Sequence, residues 1–120
     1  MKIIIAEDHY MVRRGILRIL QDGFPEAEID HAEDGKSLVE KIRAQTYDLI
    51  ITDLSMPEMN GLQAIQEIRS FSEIPIIVLS MHTEVTFANF ARSLGAQAFI
   101  TKDSASAELV TQIKKILEIQ

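Results

Sequence analysis

Five short runs, each closed by a polar residue or a turn signal, constrain this chain more than any other feature. They are Lys2 to Glu7, Glu28 to Ala32, Leu49 to Asp53, Ile76 to Ser80 and Ala98 to Thr101. Aliphatic runs of this length predict strands, and those as apolar as Leu49 to Ile51 predict strands buried on both faces. The stretches between them carry apolar residues at helical spacing: Val12, Ile16, Ile19 and Leu20; Leu38, Val39 and Ile42; Leu62, Ile65 and Ile68; Phe87, Phe90, Ala91 and Leu94. Leu109, Ile113, Ile116 and Leu117 repeat the pattern after the last run. Every strand-helix-strand step is too long for a hairpin, so the sheet should be parallel, with right-handed crossovers laying helices on both faces. The expectation is a doubly wound α/β fold with five strands and five helices, a single domain over residues 1–120.

Composition narrows the function classes. A chain of 120 residues that is 47% hydrophobic suits one core. The net charge of −6, from 18 acids against 12 bases, argues against direct nucleic-acid binding, which needs a surplus of Lys and Arg. Without cysteine there is neither a disulfide framework nor a thiolate metal site. The opening "MKIIIAED" reaches Glu7 and Asp8 after four apolar residues, and no later run approaches a membrane span. A soluble, cytoplasmic protein without a membrane contact is expected.

In a doubly wound sheet the binding crevice lies outside the carboxyl ends of the strands. The residues there are Glu7 and Asp8 after the first strand, Asp53 at the end of the third, Ser80 at the end of the fourth, and Thr101 and Lys102 at the end of the fifth. Three carboxylates brought together must protonate, pair or bind a cation. All-oxygen donors beside a lysine point to a hard divalent ion, magnesium before calcium. With such an ion present, Asp53 can attack phosphorus and form an acyl phosphate, while Lys102 and Ser80 bind the phosphoryl oxygens. His9 and His82 flank the rim, but two loop histidines without a third converging ligand do not make a zinc site. His31 reads as structural, Met56, Met59 and Met81 as packing or rim residues, and Arg13 and Arg14 as bases on a solvated helix face.

The paired acids Glu7 and Asp8, the segment "DLSMPEMNG", Ser80 after an aliphatic strand and Lys102 after "GAQAFIT" together resemble the receiver domain of two-component response regulators, over the whole chain. "EDHYMVRRGI", "LSMH" and "TKDS" are most similar to receivers that precede a LuxR/NarL-type helix-turn-helix domain. The resemblance implies a flavodoxin-like strand order 2-1-3-4-5 and a signalling switch. Asp53 would be the phosphoacceptor, and Glu7, Asp8, Asp53 and the Ser55 backbone carbonyl would hold Mg2+. Lys102 and Ser80 would contact the phosphoryl group, and Phe99 would be the aromatic switch residue. It also implies a sensor histidine kinase as partner, a homodimer on phosphorylation, and DNA reached only through a further C-terminal domain. Two departures stand out: Asp103 follows the lysine where many receivers have proline, which questions a cis peptide there, and Ser80 replaces a common threonine.

Other readings fit less well. A phosphatase of the haloacid dehalogenase type wants a second acid two residues after its aspartate, where this chain has Ser55. A flavin or nucleotide binder wants glycines in the first strand-to-helix turn, where "AEDHYM" offers acids. A non-phosphorylated interaction module would not need all five polar groups.

Overall fold

The computed structural model describes residues 1–54, 59–81 and 85–119, with the backbone alone for 85–87. The elements alternate in chain order: β1 (Lys2–Ala6), α1 (Tyr10–Gly23), β2 (Glu28–Ala32), α2 (Gly35–Ala44), β3 (Leu49–Asp53), α3 (Gly61–Arg69), β4 (Ile76–Ser80), α4 (Val85–Ser93), β5 (Ala98–Thr101) and α5 (Ala105–Ile116). A short 3₁₀ turn, Lys102–Ser104, links β5 to α5. The strands form one parallel sheet in the order β2-β1-β3-β4-β5, as expected. Glu7 falls just outside β1, yet its amide still donates to the Ala32 carbonyl at 3.2 Å, so the ladder reaches one residue beyond the strand.

Alternation along the strands divides the core in two. Ile4, Ile50, Ile76 and Val78 point to the face covered by α2, α3 and α4, where they meet Leu38, Ile42, Ile65 and Ile68. Ile3, Ile5, Leu49, Ile51, Ile77 and Leu79 point to the opposite face and pack against Ile16 and Leu20 of α1 and Leu109 and Ile113 of α5. Both faces of β1, β3 and β4 are therefore dry, which is why these strands read as unbroken aliphatic runs. The edge strand β2, "EIDHA", is buried only at Ala32.

The helix stripes hold at four of the five helices. In α4, Ala91 is fully buried and Leu94 half-buried, but Phe90 is 51% exposed, so that stripe is narrower than its sequence suggests; the Phe87 side chain lies outside the described residues. Of the adjacent pair, the small Ala91 is buried and the larger Phe90 is left on the solvent side.

Three local devices shape the strand-to-helix loops at the rim. Asn60 caps α3 by accepting from the Gln63 amide at 2.9 Å, while the Gln63 side chain accepts from the Asn60 amide at 3.1 Å. Gly61 follows at a very close backbone approach: a Cβ there would lie 1.9 Å from the Asp53 carbonyl oxygen, so no other residue fits without moving the loop. Asp34 caps α2 in the same manner, through the Ser37 amide at 2.6 Å. No peptide bond among the described residues is cis, the one after Lys102 included.

Candidate functional site

The carboxyl ends of the strands bring the expected acids and the lysine into contact. Lys102 Nζ lies 2.8 Å from Glu7 Oε2 and 3.3 Å from Asp53 Oδ2, so a single ammonium bridges two carboxylates that begin on different strands. All three are withdrawn from solvent: Glu7 is 1% exposed and Asp53 6%, and the Lys102 side chain 10%. Asp53 Oδ1 accepts from the Leu54 amide at 2.8 Å, which fixes the carboxylate's rotation. Glu7 Oε1 accepts from the His9 amide at 3.1 Å. Asp8 stands at the outer lip, with its side chain 30% exposed.

The electrostatics follow from burial. Desolvation, and then the charge of Glu7, push the Asp53 carboxyl above its ordinary value; Lys102 and the Leu54 amide offset only part of this. For Lys102, burial works against the ammonium. The hydrogen-bonding contact with Glu7 and the charges of Asp53 and Glu7 outweigh it and carry the net shift upward. One cation therefore faces two buried anions, with a third carboxylate close by.

This arrangement fits a divalent cation. Oxygens of Glu7, Asp8 and Asp53 and a ring nitrogen of His9 all lie within 4.8 Å of one another. Glu7 Oε2 is buried and has its ion pair with Lys102 but no further polar partner among the described residues, so this carboxylate oxygen retains coordinating capacity. Hard oxygen donors with excess negative charge are the donor set that magnesium takes.

Other expectations sort individually. Ser80 is buried at the end of β4, opposite Thr101 in the register, one residue beyond the level of Asp53. Phe99 is half-buried and packs on the α2–α4 side of the sheet, opposite Val78, so Phe99 and Ser80 share one face. Ser55, Met56 and His82 lie outside the described residues. Two residues have closer ties to the rim than the sequence suggested. His9 Nδ1 stands 3.2 Å from Glu7 Oε1 and 3.3 Å from Asp8 Oδ1, inside the acidic cluster, because α1 begins at Tyr10 and turns this residue back toward the strand end. Arg13 is half-buried rather than solvated, and its Nη1 donates to the Glu7 carbonyl at 3.1 Å, tying α1 to the loop that carries both acids. The signal for Arg13 was its helical phase one turn after His9, but phase does not say that a loop carbonyl waits there.

A doubly wound parallel sheet with a buried acid pair and a lysine at its carboxyl rim defines a class of phosphate-handling or cation-binding α/β proteins. Within that class, residues 3–114 match the model of the response regulator receiver domain. The chain belongs to the response regulator receiver family. It is 34% identical over 115 residues to the response regulator UvrY of Escherichia coli O6:H1, covering 95% of this chain and 53% of that protein. It is 35% identical over 108 residues to the transcriptional regulatory protein YdfI of Bacillus subtilis, covering 90% and 51%. Among solved structures, a LuxR-family two-component response regulator from Aurantimonas superposes with a TM-score of 0.90 at 32% identity, over 98% of this chain and 84% of that one. The receiver domain of the response regulator NarL from Mycobacterium tuberculosis gives 0.88 at 28%, over 99% and 97%. The chain spans about half the length of the curated relatives it matches. No helix among the described residues is long and apolar enough to cross a membrane.

Proposed function

We propose that residues 1–120 form a receiver domain working as a phosphorylation-driven switch, with Asp53 accepting a phosphoryl group from a sensor histidine kinase or a small acyl phosphate. The observation that carries this reading is the buried Glu7–Lys102–Asp53 contact, in which the Asp53 carboxylate is held beside an ammonium and a second acid at the open end of the sheet. A carboxylate oxygen of Asp53 forms the new bond to phosphorus, and the donor's bond to phosphorus breaks with its electron pair leaving on the donor. Lys102 exchanges its contact with the Asp53 oxygen for the phosphoryl oxygens, which carry more charge. Glu7, Asp8, Asp53 and the Ser55 backbone carbonyl would hold Mg2+, which supplies charge neutralisation for the incoming phosphoryl group.

Ser80 and Phe99 extend the event to the surface. A phosphoryl group at Asp53 favours the conformation that brings the Ser80 hydroxyl inward, and Phe99, on the same face of the β4–β5 pair, turns into the space released. Raising the active population from about 1% to 50% needs roughly 2.7 kcal/mol, within reach of two charge-assisted hydrogen bonds. The altered α4–β5–α5 surface then favours a partner or a second copy of the domain. Relatives named as transcriptional regulators, and a solved LuxR-family structure named as a DNA-binding response regulator, support an output through DNA by a domain other than this one.

Incubation with acetyl phosphate and magnesium tests the assignment by intact mass. One added phosphoryl group is expected on the parent and none on Asp53→Asn; equal labelling of both overturns it. Ser80→Ala should still be labelled, but with a weaker change in amide exchange from Ser80 to Lys102.

A further inference from the structure

The two faces of the sheet are covered unequally, and the gap has chemistry of its own. Three helices lie over one face and two over the other. On the two-helix side, α1 does not reach across the edge strand β2, and a cleft of about 270 Å³ remains between them. Among its lining residues, Ile5, Ile29 and Leu17 give it an apolar floor area. The α1 wall is the stripe Tyr10, Arg13, Arg14 and Leu17, residues one helical turn apart and so on one face. Both guanidinium groups lie by the Tyr10 ring, their carbons 5.7 Å and 5.8 Å from its centroid. Neither has a carboxylate partner among the described residues, although the protein carries a net charge of −6. Asp30, the acid nearest in β2, is engaged elsewhere: its Oδ2 accepts from the Tyr47 hydroxyl at 2.6 Å. His31 completes the far wall with a further polar ring.

An apolar floor under two cations that lack counter-charges is a built arrangement for an anion with a hydrophobic body. We infer that the α1–β2 cleft is a binding site for a small organic carboxylate, its apolar portion on Ile5, Ile29 and Leu17 and its charge between Arg13 and Arg14. The volume suits a flat or branched ligand of about ten non-hydrogen atoms, at the small end of ligand pockets. Charge complementarity selects the carboxylate: a neutral body of the same shape gains the floor and loses the guanidinium contacts, and an amine is repelled. The site is separate from the acidic rim, which selects cations, so one domain presents two sites of opposite preference on either side of the β1–α1 turn.

The probe is 3-phenylpropionate, compared with 3-phenylpropanamide and 3-phenylpropylamine, titrated at low salt into the ¹⁵N-labelled 120-residue chain. Amide shifts should concentrate at residues 10–17 and 29–31, with the carboxylate binding about fivefold more tightly than the amide and the amine weakest. Arg14→Gln, at an exposed position that makes no backbone contact, should bring the carboxylate down to the amide's affinity and leave the amide unchanged. The inference fails if the amide or amine binds as well as the carboxylate, if the shifts fall elsewhere, or if Arg14→Gln changes nothing. It also fails if none of the three compounds moves these amides at about 10 mM, a result that would leave the cleft to a macromolecular partner.

Discussion

The interior of the sheet and its carboxyl rim are built on opposite terms. Inside, Ile3, Ile4, Ile50, Ile76 and Ile77 of β1, β3 and β4 are wholly buried between two helical layers, in clusters of apolar side chains. At the rim, within a few ångströms of that core, Glu7, Asp53 and Lys102 are nearly as well hidden but form one cation facing two anions. Burial contributes stability in the first region and costs it in the second. A short aliphatic sheet that is dry on both faces can therefore carry a charged cluster at its end that is left unsatisfied until a ligand arrives.

Substitutions order themselves along that contrast. The largest effect should come from the interior: Ile65→Ala, at a fully buried position of α3, should cost about 3 to 4 kcal/mol in urea unfolding, with an unchanged denaturant slope. A loss below about 1 kcal/mol would erase the distinction between core and rim.

Next comes Lys102→Ala, which strands two buried carboxylates and should cost about 2 to 3 kcal/mol without magnesium. Magnesium should then raise the melting temperature of this variant more than that of the parent, for which ten times the dissociation constant stabilises by about 1.4 kcal/mol. The lysine's raised pKa means that its contribution is fully present below its ordinary value of 10.5 and is lost as pH rises through the folded value. Parent and variant should therefore converge in strongly alkaline buffer, where the ammonium is lost. If they differ equally at every pH, the rim pairing is not what stabilises Lys102.

A smaller effect, of opposite sign, belongs to Asp53→Asn. Because folding raises the Asp53 pKa, its favourable contribution is complete below its ordinary value of 3.8 and is lost as pH rises through the folded value. At neutral pH the charged Asp53 therefore weighs against the fold. Removing that charge should stabilise the metal-free domain by about 1 kcal/mol at pH 7 and by less in acid. Thermal unfolding across that pH range checks both the size and the slope; destabilisation at pH 7 would contradict a strained rim.

The smallest change should be Phe90→Ser, within about 0.5 kcal/mol, because this aromatic faces solvent. A loss of 2 kcal/mol or more in chemical unfolding would return Phe90 to the core stripe that its spacing suggests.

Local signals carried much of the fold because its central strands are dry on both sides. Continuous runs such as Ile76 to Leu79 have few alternatives, and the bounds of β2 to β5 coincide with the runs read from sequence. Phe90 was misplaced by the same logic, since period alone cannot say which of two adjacent apolar residues faces the neighbouring element. Glu7, Asp8, Asp53 and Lys102 were legible because strand ends in a parallel sheet converge by topology. His9 was read as flanking the rim, but its contacts with the acids and the tie of Arg13 to the Glu7 carbonyl were not legible, since they depend on how α1 leaves the β1 loop.

The sequence by itself determined the alternation of strand and helix, the two-sided burial of β1, β3 and β4, and the set of polar residues at the strand ends, because each follows from side-chain period and local turn chemistry. Only the tertiary structure decided which of those polar groups touch. Strand order and register bring Lys102 from the end of β5 to Glu7 and Asp53, residues separated by up to 95 positions in the chain (102 − 7), and a distance of 2.8 Å is a property of packed strands rather than of any local stretch. The same packing left a cleft beside Tyr10, Arg13 and Arg14 of α1, lined on the β2 side by Ile29, Asp30 and His31, which no local stretch of sequence announces.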